Sequence, residues 1–145
     1  MGNGINERST PLSLFEPLHK EFRFTLDGAA SHERHLLPTY STLEGTFFRD
    51  CGALIDRRDG LAAPWETERV FLNPPYGRGL LEPFVKRAAS GEADLVVALL
   101  PVRTEQPWFH DYVLAKDAEI RFIRGRVKYD GLGAAPFPSM LVVWR

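Results

Sequence analysis

The strongest constraint on the fold of this chain is an uninterrupted apolar run, Leu95–Leu100, which contains only leucine, valine and alanine. A strand with one solvent-exposed face alternates apolar and polar side chains, whereas a strand covered on both faces is apolar throughout. We therefore predict that this run forms a central parallel strand of a sheet with helices on both faces. Such an arrangement is characteristic of α/β folds.

The rest of the chain shows alternating helical and strand patterns. A helix is expected from Pro11 to Phe22, because Ser9 or Thr10 can cap it and apolar residues recur at helical spacing. The segment Thr42–Asp56 has a weak pattern and is expected to be a loop or insertion with at most a short helical piece. Further strands are expected at Phe22–Leu26, Val70–Leu72 and Glu119–Ile123, helices at Leu80–Ala89 and Trp108–Leu114, and an antiparallel pair at Arg126–Tyr129 and Met140–Trp144. The predicted fold is an α/β sheet, mostly parallel, with an antiparallel C-terminal edge.

Length and composition limit the functions that the chain can have. Its 145 residues are expected to form one domain, residues 10–145, after a polar and flexible N-terminus at residues 1–9. The net charge of −1 creates no global positive field, so contacts with nucleic acid must depend on local clusters. The single Cys51 excludes an intrachain disulfide, and His32 and His35 lack the further ligands of a metal site. The sequence has a polar start, and it has no apolar run long enough for a membrane span. A cytoplasmic location is therefore expected.

Four residues that follow the apolar strand Val70–Leu72 carry the clearest chemical signal. Asn73, Pro74, Pro75 and Tyr76 place an amide oxygen, backbone carbonyls and an aromatic ring close together in the chain. Pro74 disfavours helical backbone at the preceding residue, and each proline ring fixes its own φ angle, so the hydrogen-bond acceptors are rigid before a ligand binds. Such a site suits an exocyclic amino group on a planar ring. An ordinary proline turn after an edge strand is the alternative interpretation.

These four residues form the N/D-P-P-Y/F motif of amino methyltransferases, and other segments extend the match in order and spacing. They are Thr10-Pro11, Phe24–Ser31, Asp59–Leu61, Val70–Gly77, Leu100–Thr104, Trp108–His110, Phe122–Arg126 and Pro136–Ser139. Over residues 10–144 the chain resembles the phage and prophage DNA N-6-adenine methyltransferases, a Dam-like family that depends on S-adenosyl-L-methionine. The resemblance implies a reduced Rossmann-like methyltransferase sheet, S-adenosyl-L-methionine as cofactor, DNA as partner and a bacterial host cell. Two departures are Arg8-Ser9, where an aromatic residue is expected, and an unusually long segment Thr39–Asp56.

The cofactor site that the resemblance implies begins at Asp27. This carboxylate is expected at the carboxyl end of the first strand, where ligands bind in open α/β sheets, and it can pair with the amino group of the methionine part. The small residues Gly28 and Ala29 would let the backbone approach the ligand closely. The further cofactor contacts implied are Thr10, Pro11 and Asp59. A helix N-cap is the alternative role for Asp27, and a turn with the following glycine is the alternative for Asp59.

Basic residues in the second half of the chain are candidates for DNA contacts. The segment Arg121–Tyr129 contains four basic residues and no acidic residue, and phosphate contacts in protein–DNA complexes come mainly from such side chains. Within it we predict contacts from Arg124, Arg126 and Lys128. Arg103 follows the buried strand directly and is expected near substrate or cofactor. The alternatives are a solvated strand face for the segment and a helix cap for the residues around Arg103.

The resemblance also implies a mechanism. An adenine amino group is a poor nucleophile because its lone pair is delocalised into the ring. If the Asn73 side-chain oxygen and the Pro74 carbonyl oxygen each accept one N–H, the lone pair can point at the methyl group of the cofactor. Tyr76 would stack on the base after it has been rotated out of the duplex.

Three other functions fit parts of the same pattern. Protein glutamine methyltransferases also use N-P-P-Y to hold a planar amide, but they usually carry a Gly-rich cofactor motif and an extra N-terminal domain. Cytosine N4 offers the same amino chemistry on a smaller ring. A degenerate methyltransferase fold that only binds DNA is the third alternative, and the presence of Asp27, Asn73 and Tyr76 argues against it.

Overall fold

A computed structural model describes residues 10–30, 36–37, 40–42, 46–48, 54–57, 65–76, 79–129 and 133–145 of the chain. The strands are β1 (Leu26–Ala30), β2 (Tyr40–Thr42), β3 (Thr46–Phe48), β4 (Leu54–Arg57), β5 (Arg69–Leu72), β6 (Leu95–Pro101), β7 (Glu119–Phe122), β8 (Lys128–Tyr129), β9 (Gly133–Ala134) and β10 (Ser139–Trp144). The helices are α1 (Leu12–Phe22), α2 (Leu81–Ala88) and a π-helix, Phe109–Leu114. Within these described ranges, no helix has the length and apolar composition needed to cross a lipid bilayer.

Eight of the described strands form one mixed sheet in the order β4-β3-β2-β1-β5-β6-β10-β7. Its centre is parallel, because β1 pairs in parallel with β2 and β5, and β5 pairs in parallel with β6. β10 lies antiparallel between β6 and β7, so β7 runs in the same direction as β6. The predicted parallel centre and antiparallel C-terminal edge are therefore confirmed. A second antiparallel edge, formed by β3 and β4 beyond β2, was not predicted.

The sheet is covered on both faces, as the apolar run in β6 predicts. All seven residues of β6 are buried, and alternate side chains enter two separate hydrophobic clusters. One cluster contains α2 and the π-helix, and the other contains α1. On the α1 side, Phe15 meets Phe71 of β5 edge to face, with ring centroids 5.1 Å apart. This contact attaches the start of α1 to the strand that leads into the Asn-Pro-Pro-Tyr motif.

The first predicted strand, Phe22–Leu26, lies too early in the chain. The helix α1 continues to Phe22 and ends at Arg23, which adopts a left-handed conformation with φ of 56°. Phe22 and Phe24 then pack with Phe15 in an aromatic cluster, and the strand begins only at Leu26. The alternating apolar residues that resemble a strand therefore belong to the end of α1 and to the connection between α1 and β1. As a result, Asp27 lies inside β1 rather than after it.

Two other predictions were wrong about sheet pairing. The segment Thr42–Asp56, expected to be a loop, contains β3 and most of β4, whose short strands extend an existing sheet edge by backbone pairing and show little periodicity of their own. Arg126–Tyr129 does not pair with Met140–Trp144. Instead Lys128–Tyr129 pairs with β9 in a separate two-stranded sheet, and β10, whose six residues are all buried, lies between β6 and β7.

Candidate active site

The ends of β1, β5, β6 and β7 lie at one edge of the sheet, which we call the carboxyl edge. Asn73 is the first residue after β5, and the following proline favours extended backbone there. Asp27 in β1 is paired with Phe71, two residues before Asn73, so Asp27 and Asn73 lie on the same face of the sheet. With strands about 4.8 Å apart and a rise of about 3.3 Å per residue, their Cα atoms are about 8 Å apart. Two residues predicted to contact different ligands are thus neighbours.

The side-chain amide of Asn73 is held by a residue from the start of the chain. Its Nδ2 group donates a hydrogen bond to Oγ1 of Thr10, over a distance of 3.0 Å. Thr10 is only 4% exposed and precedes Pro11, whose carbonyl oxygen accepts from the N–H groups of Leu14 and Phe15 at the start of α1. The position of Thr10 therefore depends on the packing of α1 against the sheet.

Tyr76 is fixed at both its ends. Its hydroxyl group donates a hydrogen bond of 2.6 Å to the carbonyl oxygen of Leu99 in β6, and its oxygen lies 3.3 Å from Oδ1 of Asn73. The ring meets Phe137 edge to face, with centroids 5.4 Å apart. Pro74 and Pro75, which lie between Asn73 and Tyr76 in the chain, are both buried. The tetrapeptide that follows β5 is thus anchored to β6 through the Tyr76 hydroxyl group.

Asp27 is a buried carboxylate at this edge. It is 4% exposed, and its Oδ2 atom accepts a hydrogen bond of 2.9 Å from the backbone N–H of Leu36. Because Asp27 lies within β1, the alternative interpretation as a helix N-cap is wrong. An ionised carboxylate can accept about four hydrogen bonds, and the bond to Leu36 is one of the interactions that Asp27 makes.

Gly28 has a packing role that the sequence analysis did not predict. A Cβ atom at this position would lie 2.9 Å from Cγ1 of Val70, 3.2 Å from Cζ2 of Trp65 and 3.3 Å from Cδ1 of Leu72. The absence of a side chain at Gly28 therefore makes room for the buried Trp65 against β1 and β5. Arg87 lies over the Trp65 ring, with its guanidinium carbon 4.1 Å from the ring centroid.

The basic segment also reaches the carboxyl edge. Leu100, Met140 and Phe122 are register partners across β6, β10 and β7, so the residues that follow Phe122 leave the sheet at this edge. Arg124, Arg126 and Lys128 are exposed, and Phe122 itself is 67% exposed. Arg103 lies two residues beyond β6 and is half-buried. Basic side chains therefore occur at the ends of two strands that run in the same direction.

Arg121 differs from the other basic residues of the segment. Its guanidinium group donates two hydrogen bonds, of 2.8 and 2.7 Å, to the carboxylate of Glu21 in α1, and it also pairs with Glu119. These bonds raise the pKa of Arg121, and the same contact lowers the pKa of Glu21. The segment Arg121–Tyr129 contains no acidic residue, but carboxylates from outside it contact Arg121, one of its four basic residues.

A family model described as DNA N-6-adenine-methyltransferase (Dam) matches residues 6–144, nearly the whole chain. The chain belongs to this family. No curated protein matches it at a significant level. Membership of the Dam family implies a DNA methyltransferase, and the resemblance on which the sequence analysis relied is confirmed.

In this Dam-family chain, most of the predicted site residues lie at the carboxyl edge. The residues of the motif, Asn73, Pro74, Pro75 and Tyr76, lie there with Thr10 and Pro11, and Asp27 lies beside them in β1. Arg103 follows β6 at the same edge. Ala29 follows Asp27 in β1, whereas Asp59 lies outside the described residues, as do Cys51, His32 and His35. In the described parts of the chain, no group of three His, Cys, Asp or Glu side chains is placed to hold a metal ion.

Sequence reasoning missed the contacts that organise this Dam-family site. The bond between Thr10 and Asn73 joins residues 63 positions apart, and no local pattern indicates it. The carbonyl group of Leu99, which anchors Tyr76, is equally invisible in the sequence because every residue has one. The pair Thr10-Pro11 did indicate the start of a helix, and this signal identified Thr10 as one of the two residues in the bond to Asn73.

Proposed function

We propose that this chain transfers a methyl group from S-adenosyl-L-methionine to the N6 amino group of adenine in DNA. The observation that carries the proposal is the arrangement of Asn73, whose amide is held by Thr10 on the face of the sheet that also bears Asp27. Membership of the Dam family supports DNA as substrate and adenine as the base.

Asn73 and Pro74 are proposed to accept the two hydrogens of the adenine amino group, one at Oδ1 and one at the backbone carbonyl oxygen. Accepting both hydrogens draws the nitrogen toward tetrahedral geometry and localises its lone pair. These acceptors also stabilise the positive charge that develops on the nitrogen during transfer. Because the proton can leave to water after the new N–C bond has formed, the pocket needs no general base.

Asp27 is proposed to bind the amino group of the cofactor's methionine part. A buried carboxylate next to the motif fits an ammonium group, because the pair would compensate each other's loss of hydration. When bound, S-adenosyl-L-methionine would supply the methyl group as an electrophile, and breaking of its S–CH3 bond would leave neutral S-adenosylhomocysteine. Pro11, Ala29 and Asp59 stay predicted cofactor contacts, whereas the hydroxyl group of Thr10 accepts a hydrogen bond from Asn73.

The DNA is proposed to bind along the carboxyl edge. Arg124, Arg126 and Lys128 are exposed cations that suit phosphate groups, and the exposed ring of Phe122 suits contact with an unpaired base. Arg103 follows β6, and in the sheet β6 lies between β5, which precedes the motif, and β7, which precedes this segment. Tyr76, whose hydroxyl group is anchored by β6, is proposed to stack on the extruded adenine. We retain the cytoplasm of a bacterial host cell as the location of this reaction.

One experiment tests the proposal directly. The chain is incubated with DNA and S-adenosyl-L-methionine labelled in its methyl group, and the DNA is then digested to nucleosides. We expect label in N6-methyladenine. Label in N4-methylcytosine would overturn the base assignment, and DNA binding without any transfer would indicate a binding protein instead.

A further inference from the structure

We propose that Thr10 is a positioning residue that selects the orientation of the Asn73 side-chain amide. The inference deepens the proposed function, on which its kinetic part rests. An amide presents an oxygen at one end and an NH2 group at the other, and rotation by half a turn exchanges them. The Asn73 amide can accept a hydrogen from the substrate's amino group only when its oxygen points at the substrate. In the other orientation its NH2 group, which is itself a donor, would face that amino group.

The torsion that exchanges the two ends has broad, roughly two-fold preferences in asparagine, so a neighbouring group must choose between them. In this structure that neighbour is Thr10, whose Oγ1 accepts the hydrogen bond of 3.0 Å from Nδ2. With Nδ2 directed at Thr10, Oδ1 is directed away from it, toward the side where the Tyr76 hydroxyl lies. In the proposed function the adenine stacks on Tyr76, so the bond to Thr10 favours the orientation in which Oδ1 faces the side of the substrate.

Thr10 is well placed to hold this position. It is buried, and the residue after it, Pro11, adopts extended backbone with φ of −66° and ψ of 141° before α1 begins. The helix is attached to β5 by the contact of Phe15 with Phe71, two residues before Asn73. Both ends of the hydrogen bond therefore rest on the same packing contact, which keeps them in register.

The test uses two substitutions at Thr10. Thr10→Val keeps the shape but removes the acceptor, whereas Thr10→Ser keeps the hydroxyl group and removes the methyl group. Ser13→Val, which changes an exposed hydroxyl group in the first turn of α1, is the matched control for the substitution itself. For each variant, kcat, the KM for DNA, the Kd of S-adenosylhomocysteine and the Tm are measured.

We expect Thr10→Val to lower kcat about 10- to 100-fold, since a misplaced catalytic group is costly even when binding is retained. The Kd of S-adenosylhomocysteine should stay within about twofold of the original chain, and Thr10→Ser and Ser13→Val should retain kcat within about threefold. Equal losses in the Val and Ser variants would overturn the inference. So would a Thr10→Val variant with weakened S-adenosylhomocysteine binding and unchanged kcat, which would make Thr10 a cofactor contact.

A second measurement does not depend on activity. In ¹⁵N-edited NMR spectra, one proton of the Asn73 side-chain amide should be protected from exchange with water in the original chain and in Thr10→Ser. It should lose this protection in Thr10→Val. If the original chain formed no methylated base, the proposed function would fail while this measurement still decided the role of Thr10. Unchanged protection in Thr10→Val would overturn that role.

Discussion

Two regions at the carboxyl edge differ in how firmly their polar and charged side chains are held. Around Asn73, polar side chains are buried or half-buried and are held by specific partners, Thr10 before α1 and Leu99 in β6. In the segment after β7, Arg124 and Lys128 are exposed, and Arg126 makes only a long bond of 3.4 Å to the carbonyl oxygen of Ala135 among the contacts described. Transfer chemistry requires atoms at fixed positions, whereas attraction to phosphates acts over many geometries. The comparison therefore separates a region whose geometry matters from one whose charge matters.

The largest effect should come from the motif itself. Asn73→Ala is expected to lower kcat by at least about 100- to 1,000-fold, as removal of a single group that stabilises developing charge does in other enzymes. The loss should appear in kcat more than in KM, because the acceptor acts mainly in the transition state. Label transfer to DNA measures this effect, and calorimetry with S-adenosylhomocysteine should show nearly unchanged cofactor binding. Full activity in a folded variant would contradict the mechanism.

Asp27→Ala should weaken S-adenosyl-L-methionine binding about 10- to 150-fold, since a hydrogen bond to a charged group contributes about 1.5–3 kcal/mol. The affinity is measured by calorimetry. Asp27→Asn serves as the second variant, because it retains an acceptor for the Leu36 N–H while removing the charge. Asp94→Ala, at an exposed carboxylate, is the control. Unchanged affinity in both Asp27 variants would leave this residue with a structural role alone.

Simultaneous replacement of Arg124, Arg126 and Lys128 by alanine should weaken DNA binding to all sequences similarly. Each lost phosphate contact should reduce the slope of log K against log salt concentration by about 0.9. Fluorescence anisotropy at several salt concentrations measures that slope. A control triple variant that replaces the exposed lysines Lys20, Lys86 and Lys116 removes the same charge elsewhere. Equal slopes in the two triple variants would show that the segment does not contact phosphates.

The smallest effect should separate Arg121 from Arg124, two residues that look alike in the sequence. Arg121→Met should lower the Tm slightly and leave the salt slope of DNA binding unchanged, because Arg121 pairs with Glu21 and Glu119. Arg124→Met should do the reverse. Measuring Tm and salt slope on both variants tests the distinction, and a reduced slope in Arg121→Met would remove it.

The same pair sets the pH dependence. Arg121 lowers the pKa of Glu21 in the folded chain, so the pair stabilises the fold above the ordinary pKa of a glutamate, about 4.3. This contribution should disappear as the pH falls through the lowered pKa. Denaturation followed below about pH 4.5 should therefore show a steeper loss of stability in the original chain than in Arg121→Met.

The comparison also explains which predictions succeeded. Leu95–Leu100 was identified as a doubly covered strand, and Val70–Leu72 as the strand that leads into the Asn-Pro-Pro-Tyr motif, because hydrophobic patterns act within a few residues. The strand β10 has an equally apolar sequence, yet its position between β6 and β7 was not predicted. Pairing between distant strands depends on which edges remain open after the rest of the sheet has formed, and a short segment carries no information about that.

Sequence alone therefore determined the chemical groups of this protein: an amide before two prolines, the carbonyl group of the first proline, a carboxylate near the first strand, and a basic segment near the C-terminus. Tertiary structure decided which of these groups meet. It brought Thr10 to Asn73, Leu99 to Tyr76, and the carboxylate of Glu21 to Arg121. The physical reason is range. Backbone preferences and side-chain chemistry are properties of single residues and their neighbours, whereas these hydrogen bonds join residues from 23 to 100 positions apart in the chain.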